Sequence, residues 1–125
     1  MRTNIKWSHI DQSDSVRDYL DKKLKDLDKL VDSAEGEASA QVELGKTTSH
    51  HKSGDIFRAE INLMMNGKRL RAVSETADIY SSIDEVRDEI FEEVIKQKDR
   101  RRSLIRRGGH RIKNMMRGVF GRNKN

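Results

Sequence analysis

Apolar residues recur along this chain with two periods, and the switches between them mark its elements. From about Thr3 to Ser8, Ile5 and Trp7 alternate with Asn4 and Lys6, the period-two pattern of a half-buried strand. Ser13 or Asp14 then caps a helix running to about Val31. Its stripe is Val16, Leu20, Leu24, Leu27 and Val31, with Tyr19 and Leu30 at the flank. Three further segments alternate: Ala38, Ala40, Val42 and Leu44; Phe57, Ala59, Ile61, Leu63 and Met65; and Leu70, Ala72 and Ser74. Asn66-Gly67 between the last two is a two-residue hairpin signal. The longest pattern follows, with Ile79, Ile83, Val86, Ile90 and Val94 on one helical face. Thr76 or Asp78 caps it, and Asp84, Glu85, Asp88 and Glu89 suit the positive end of its dipole.

The predicted order is βαβββα, an α+β fold. One face of the four-stranded sheet is apolar and both helices have an apolar stripe, so both helices pack on that one face and the other stays wet. The joining segment Gly45–Asp55 is polar and is expected to be mobile. Beyond Arg102 the register weakens, and Gly108-Gly109 is expected to end ordered structure. Ile112, Met115, Met116, Val119 and Phe120 suggest a short amphipathic helix weakened by Gly118 and Gly121. The expected organisation is an α+β domain over residues 1–102 and a basic, flexible tail over 103–125.

Composition narrows the class. Only 34% of residues are hydrophobic, so the core is small. No apolar run approaches the roughly 18 residues of a membrane span, and the first residues lack the apolar stretch of a secretory signal. The absence of Cys excludes disulfides and thiol catalysis and fits a reducing, cytoplasmic setting. The net charge of +5 hides a division: residues 96–125 hold twelve basic residues and one acidic, a net +11, while the remainder is net −6. A basic arm on an acidic body points to nucleic acid or an anionic membrane surface.

The strongest candidate site is the run Lys96, Lys98, Arg100, Arg101, Arg102, Arg106 and Arg107, which exceeds what a solvated helix end requires. Arg forks match phosphate oxygens, and each contact releases counterions. Lys22, Lys25 and Lys29 form a second stripe, although Asp18, Asp21, Asp26 and Asp28 are close enough in sequence to pair with them. Arg17 and Lys23 sit at the margins of the buried stripe, where long stems reach outward. Arg69 and Arg71 on the wet sheet face are expected to pair with Glu60 and Glu43. That face has no aromatic pair for stacking bases, which excludes an RNA-recognition-motif reading. Tyr80 reads as a core-edge aromatic with a wet hydroxyl. His50-His51, with only Asp55 nearby, do not make a metal site. No nucleophile triad, phosphate loop or paired carboxylates are visible, so neither an enzyme nor a cofactor is expected.

The segment D-I-Y-S-S-I-D with a helix ending K-x-K-D-R, the strand N-I-K-W, and the helix pattern V-R-D-Y-L-x-x-K-L-x-x-L-D-K together resemble the ribosome hibernation promoting factor and ribosome-associated translation inhibitor family, over about residues 1–102. The resemblance implies an architecture like double-stranded-RNA-binding domains. It also implies binding to the small ribosomal subunit and its ribosomal RNA under stress, where such a protein occupies the decoding channel and blocks messenger and transfer RNA. Arg17, Lys23 and Lys29 match basic positions of the family. Asp26, Glu89, Glu92 and Ile95 stand where it commonly has basic residues, which shifts the expected contacts toward the helix end and tail. The chain is expected to be a short form without the dimerisation domain of longer members, monomeric off the ribosome. The alternatives are a generic RNA-binding module and a binder of anionic membrane surfaces through the tail.

Overall fold

The computed structural model describes residues 1–32, 37–47 and 54–115, the side chains of residues 32 and 107–115 excepted. The elements in chain order are β1 (Arg2–Ser8), α1 (Asp14–Asp32), β2 (Ala38–Lys46), β3 (Phe57–Met65), β4 (Lys68–Thr76) and α2 (Ile79–Met115), the βαβββα order expected. The chain divides into two compact units, Met1–Val94 and Ile95–Asn125.

The strands form one sheet in the order β1-β2-β3-β4. β1 runs parallel to β2, a pairing that needs a long crossover, which α1 supplies. β2, β3 and β4 form an antiparallel meander. The registers align apolar rows across the sheet. One is Ile5, Val42, Ile61 and Ala72; another, on β2 to β4, is Ala40, Leu63 and Leu70. Both predicted helix stripes, Val16 to Val31 and Ile79 to Val94, are buried in one cluster with these rows. Small residues at Ala40, Ala59 and Ala72 leave room for the larger side chains above them.

Local chemistry fixes the ends of the elements. Ser13 Oγ accepts the Val16 N–H at 3.3 Å, so Ser13 is the N-cap of α1. Asp78 Oδ2 accepts the Ser81 N–H at 3.1 Å and caps α2. Ser82 is fully buried; its hydroxyl donates to the Phe57 carbonyl at 3.0 Å and meets Thr76 Oγ1 at 2.8 Å. The β3–β4 hairpin turns on Asn66 (φ 52°) and Gly67 (φ 73°), the two positive values that a type I′ turn requires.

Two boundaries differ from the sequence reading. β2 continues through Gly45 and Lys46 rather than ending before the polar segment, because Gly45 pairs with Ser8 and Arg58. A Cβ at Gly45 would lie 2.5 Å from the Ser8 carbonyl oxygen, so the strands approach this closely only with glycine there. Residues 48–53 of the joining segment lie outside the described residues. α2 also does not stop at Arg102 or at Gly108-Gly109 but runs to Met115. Glycine costs a helix about 1 kcal/mol per residue, far less than proline, and Leu, Ile, Arg and Lys around the pair favour helix. Residues 116–125 of the expected tail, with Met116, Val119 and Phe120, lie outside the described residues.

Leu20 and Ile90 are both fully buried, on α1 and α2 respectively. Leu20→Ala or Ile90→Ala is expected to lower unfolding free energy by about 2–5 kcal/mol. Urea denaturation checks this, with an exposed substitution such as Lys22→Ala expected to stay within about 0.5 kcal/mol of the parent.

Candidate nucleic-acid interface

The two helices meet along a polar seam within the first unit. The Tyr19 and Tyr80 rings meet edge to face, with centroids 5.0 Å apart and planes at 88°. Lys23 Nζ lies 3.1 Å from Asp84, and Arg87 donates to Asp26 at 3.1 Å. These three contacts share a single offset of 61 residues, so α1 and α2 run side by side in the same direction. The Tyr19 hydroxyl also donates to Asp84 Oδ1 at 2.7 Å. Arg87 holds Asp88 as well, at 2.9 Å, and its guanidinium lies 4.2 Å from the Phe91 ring centroid.

The electrostatics follow these contacts. The hydrogen bond to Asp84 raises the Tyr19 hydroxyl above its usual pKa, since ionising it would place a second negative charge beside the carboxylate. The same carboxylate raises Lys23. Partial burial pushes Asp84 upward, but the bonds from Tyr19 and Lys23 outweigh it and hold Asp84 below the ordinary range.

This arrangement revises the reading of the α1 lysines. Asp26, expected to pair locally, turns to Arg87 instead. Lys22, Lys25 and Lys29 are exposed, and none has an ion-pair partner among the described residues. Arg17 is likewise exposed and unpaired. Lys23, half-buried, is the α1 cation that is already engaged. At the far end of α2, Lys96, Arg100, Arg102 and Arg106 are exposed, while Lys98 and Arg101 are half-buried. Arg102 lies 3.5 Å from Asp99, the acidic residue of this run. The Arg107 side chain lies outside the described residues.

The open sheet face carries a second network. Glu60, whose side chain is 12% exposed, accepts from Arg71 Nε, Arg58 Nη2 and Asn62 Nδ2, each at 2.8 Å. The Arg71 bond does most to lower its pKa to about 2; partial burial works against this, and Asn62 and Arg58 add to the lowering. The expected pairing of Arg71 with Glu60 is present. The expected pairing of Arg69 with an acid is not, because the register sets Arg69 opposite Met64 and sets Glu43 opposite Glu60. Two carboxylates directly opposed repel, and the cations around Glu60 offset that.

Arg58 and Arg87 were missed as organising residues. Arg87 finds Asp26 across 61 residues, a contact no local pattern announces; the one available signal was its place at the margin of the α2 apolar stripe. His50 and His51 lie outside the described residues. Among the described residues no group of three His, Cys, Asp or Glu is placed to hold a metal ion, and no helix is long and apolar enough to cross a membrane.

Residues 3–102 match the family described as Sigma 54 modulation protein / S30EA ribosomal protein. Over 100 residues, 80% of this chain, it is 29% identical to the ribosome hibernation promotion factor of Lactococcus lactis subsp. cremoris and spans about half of that protein's length, 51%. The ribosome hibernation promoting factor of Azotobacter vinelandii is 27% identical over the same share of this chain, covering 85% of its own length. Among solved structures, the Thermus thermophilus Protein Y N-terminal domain is similar with a TM-score of 0.61 at 30% identity, covering 75% of this chain and 96% of that one. A ribosomal subunit interface protein from Coxiella burnetii shares the fold, with a TM-score of 0.56 at 18% identity over 76% of this chain and 97% of its own.

Folded, Glu60 has a pKa of about 2 against an ordinary 4.5, so its contribution to stability is complete above that ordinary value and is lost as pH falls from 4.5 toward 2. Glu60→Gln is therefore expected to cost about 1–3 kcal/mol at pH 6 and progressively less below pH 4.5, the gap closing near pH 2. Urea midpoints of both proteins across this range check it.

Proposed function

We propose a ribosome-silencing role for this chain, which belongs to the Sigma 54 modulation protein / S30EA ribosomal protein family. The observation that carries the reading is the match of residues 3–102, nearly the whole βαβββα body, to that family. The names of the two curated relatives, ribosome hibernation factors both, supply the context. In this reading the protein works in the cytoplasm, as a monomer when off the ribosome. It binds ribosomal RNA of the small subunit, occupies the decoding channel, and excludes messenger and transfer RNA by its bulk. No bond is made or broken.

The physical support is the distribution of cations. Arg17, Lys22, Lys25 and Lys29 project from α1 without acidic partners among the described residues. A second set, Lys96, Lys98, Arg100, Arg101, Arg102, Arg106 and Arg107, belongs to a segment of net charge +11. Phosphates bound by such groups release condensed counterions, which gives affinity without sequence preference. Glu89 and Glu92 leave the middle of α2 anionic, so that stretch is not where phosphates bind.

If the body fills the decoding channel, inhibition depends on what arrives first. In a purified translation system, the protein added before messenger and initiator transfer RNA is expected to inhibit strongly. Added after they are bound, it should inhibit at least tenfold less at equal concentration. Inhibition independent of the order of addition would exclude steric plugging, and failure to co-sediment with small subunits would exclude ribosome binding.

The salt dependence tests the cation assignment separately. Six phosphate contacts give a slope of log affinity against log salt of about −4 to −5. Arg100→Ala/Arg101→Ala/Arg102→Ala is expected to flatten it by about two to three units. Because Lys22, Lys25 and Lys29 have no ion-pair partner among the described residues, their triple alanine variant should flatten it by about as much. Ribosome affinities at four or more salt concentrations check this.

A further inference from the structure

We propose that the exposed ring of Tyr80 is a stacking site for one unpaired RNA base. The proposal rests on the RNA-binding reading above and adds to it a place where the surface takes a base rather than a phosphate. Among the described residues Tyr80 is the exposed aromatic, with 36% of its surface accessible. Trp7, Tyr19, Phe57 and Phe91 are half-buried and packed against the core. Three of those rings also carry a cation: Lys23 lies 5.2 Å from the centroid of Tyr19, Lys46 5.6 Å from Phe57, and Arg87 4.2 Å from Phe91. Tyr80 carries none, and its hydroxyl has no partner among the described residues. Its π surface is therefore the one left for an incoming ring.

The ring is also held in place. Tyr19 meets it edge to face at 5.0 Å, and Tyr19 is itself pinned by the 2.7 Å bond from its hydroxyl to Asp84, which Lys23 grips at 3.1 Å. An aromatic ordered before binding loses little freedom when a base stacks on it. The carboxylates flanking it on α2 do not stand as bare charges toward a nucleotide. Asp78 is occupied in capping the helix through Ser81, and Asp84 in holding Tyr19 and Lys23. Lys22 lies three residues from Tyr19, within one helical turn, and is unpaired, so it can meet a phosphate next to the stacked base. Among the described residues the open sheet face carries no aromatic, whereas the aromatic pair lies between the helices.

Stacking on an aromatic ring requires an unstacked base, whereas phosphate contacts do not, so the two are separable with model RNAs. The full chain, its Tyr80→Ala, Tyr80→Leu and Tyr80→Trp variants are compared for binding to a ten-nucleotide oligoadenylate and to a blunt RNA duplex with the same number of phosphates. Tyr80→Ala and Tyr80→Leu are expected to weaken oligoadenylate binding roughly 5- to 100-fold and to leave duplex binding within twofold. Tyr80→Trp should bind oligoadenylate at least as well as the parent. Tyr80→Leu keeps the apolar bulk beside Tyr19, so its loss would report the missing π surface rather than a disturbed seam. Equal losses on both RNAs, or none on either, would overturn the stacking site while leaving phosphate binding in place. A parent protein that bound neither RNA would instead overturn the RNA-binding reading from which the proposal starts.

Discussion

Two amphipathic helices have to share one apolar sheet face, and the character of the helical surface depends on how they do so. Strands lie about 4.8 Å apart and helices pack about 8–10 Å apart, so four strands carry two helices side by side. Here both helices run in the same direction, as their constant offset of 61 shows. Parallel dipoles set side by side repel weakly. The seam answers with opposite charges, Lys23 with Asp84 and Arg87 with Asp26, and with the Tyr19–Tyr80 contact.

That seam sorts the charged residues of the body into two kinds. Lys23, Arg58, Arg71 and Arg87 are engaged with carboxylates of neighbouring elements and hold the fold's polar surface together. Arg17, Lys22, Lys25 and Lys29 face water with no such duty among the described residues. Exposed ion pairs contribute little each, so Lys23 and Arg87 matter more for orienting side chains than for stability, whereas Arg58 and Arg71 also stabilise the fold through the largely buried Glu60 they share. Asp26, within a turn of Lys22, Lys25 and Lys29, is taken up by Arg87 of α2 rather than by them.

Whatever is encoded within one or two turns of chain was legible in the sequence. The two helical stripes, the caps at Ser13 and Asp78, and the Asn66-Gly67 turn all depend on neighbours a few residues apart, and all are present. What was not legible depends on register between distant segments. The opposition of Glu43 to Glu60, the placing of Arg69 opposite Met64, and the capture of Asp26 by Arg87 each follow from pairings that no local pattern encodes. Gly45 reads as the start of a loop until β1 is laid against it, when its missing side chain becomes the reason two strands meet so closely. The helical extension past Gly108-Gly109 was misread because a glycine pair weakens a helix by an amount that its neighbours offset.

The buried Ser82 hydroxyl ties the start of α2 to the sheet. Helix ends ordinarily fray first, because their terminal backbone groups are held by few contacts. The first turn of α2 is instead capped by Asp78 and bonded through Ser82 to the start of β3 and the end of β4. Amide protons near Ile83 and Val86 should therefore exchange with solvent only when the sheet itself opens. Loss of the first turn of α2 is thus tied to loss of the sheet, and the start of the helix does not fray on its own.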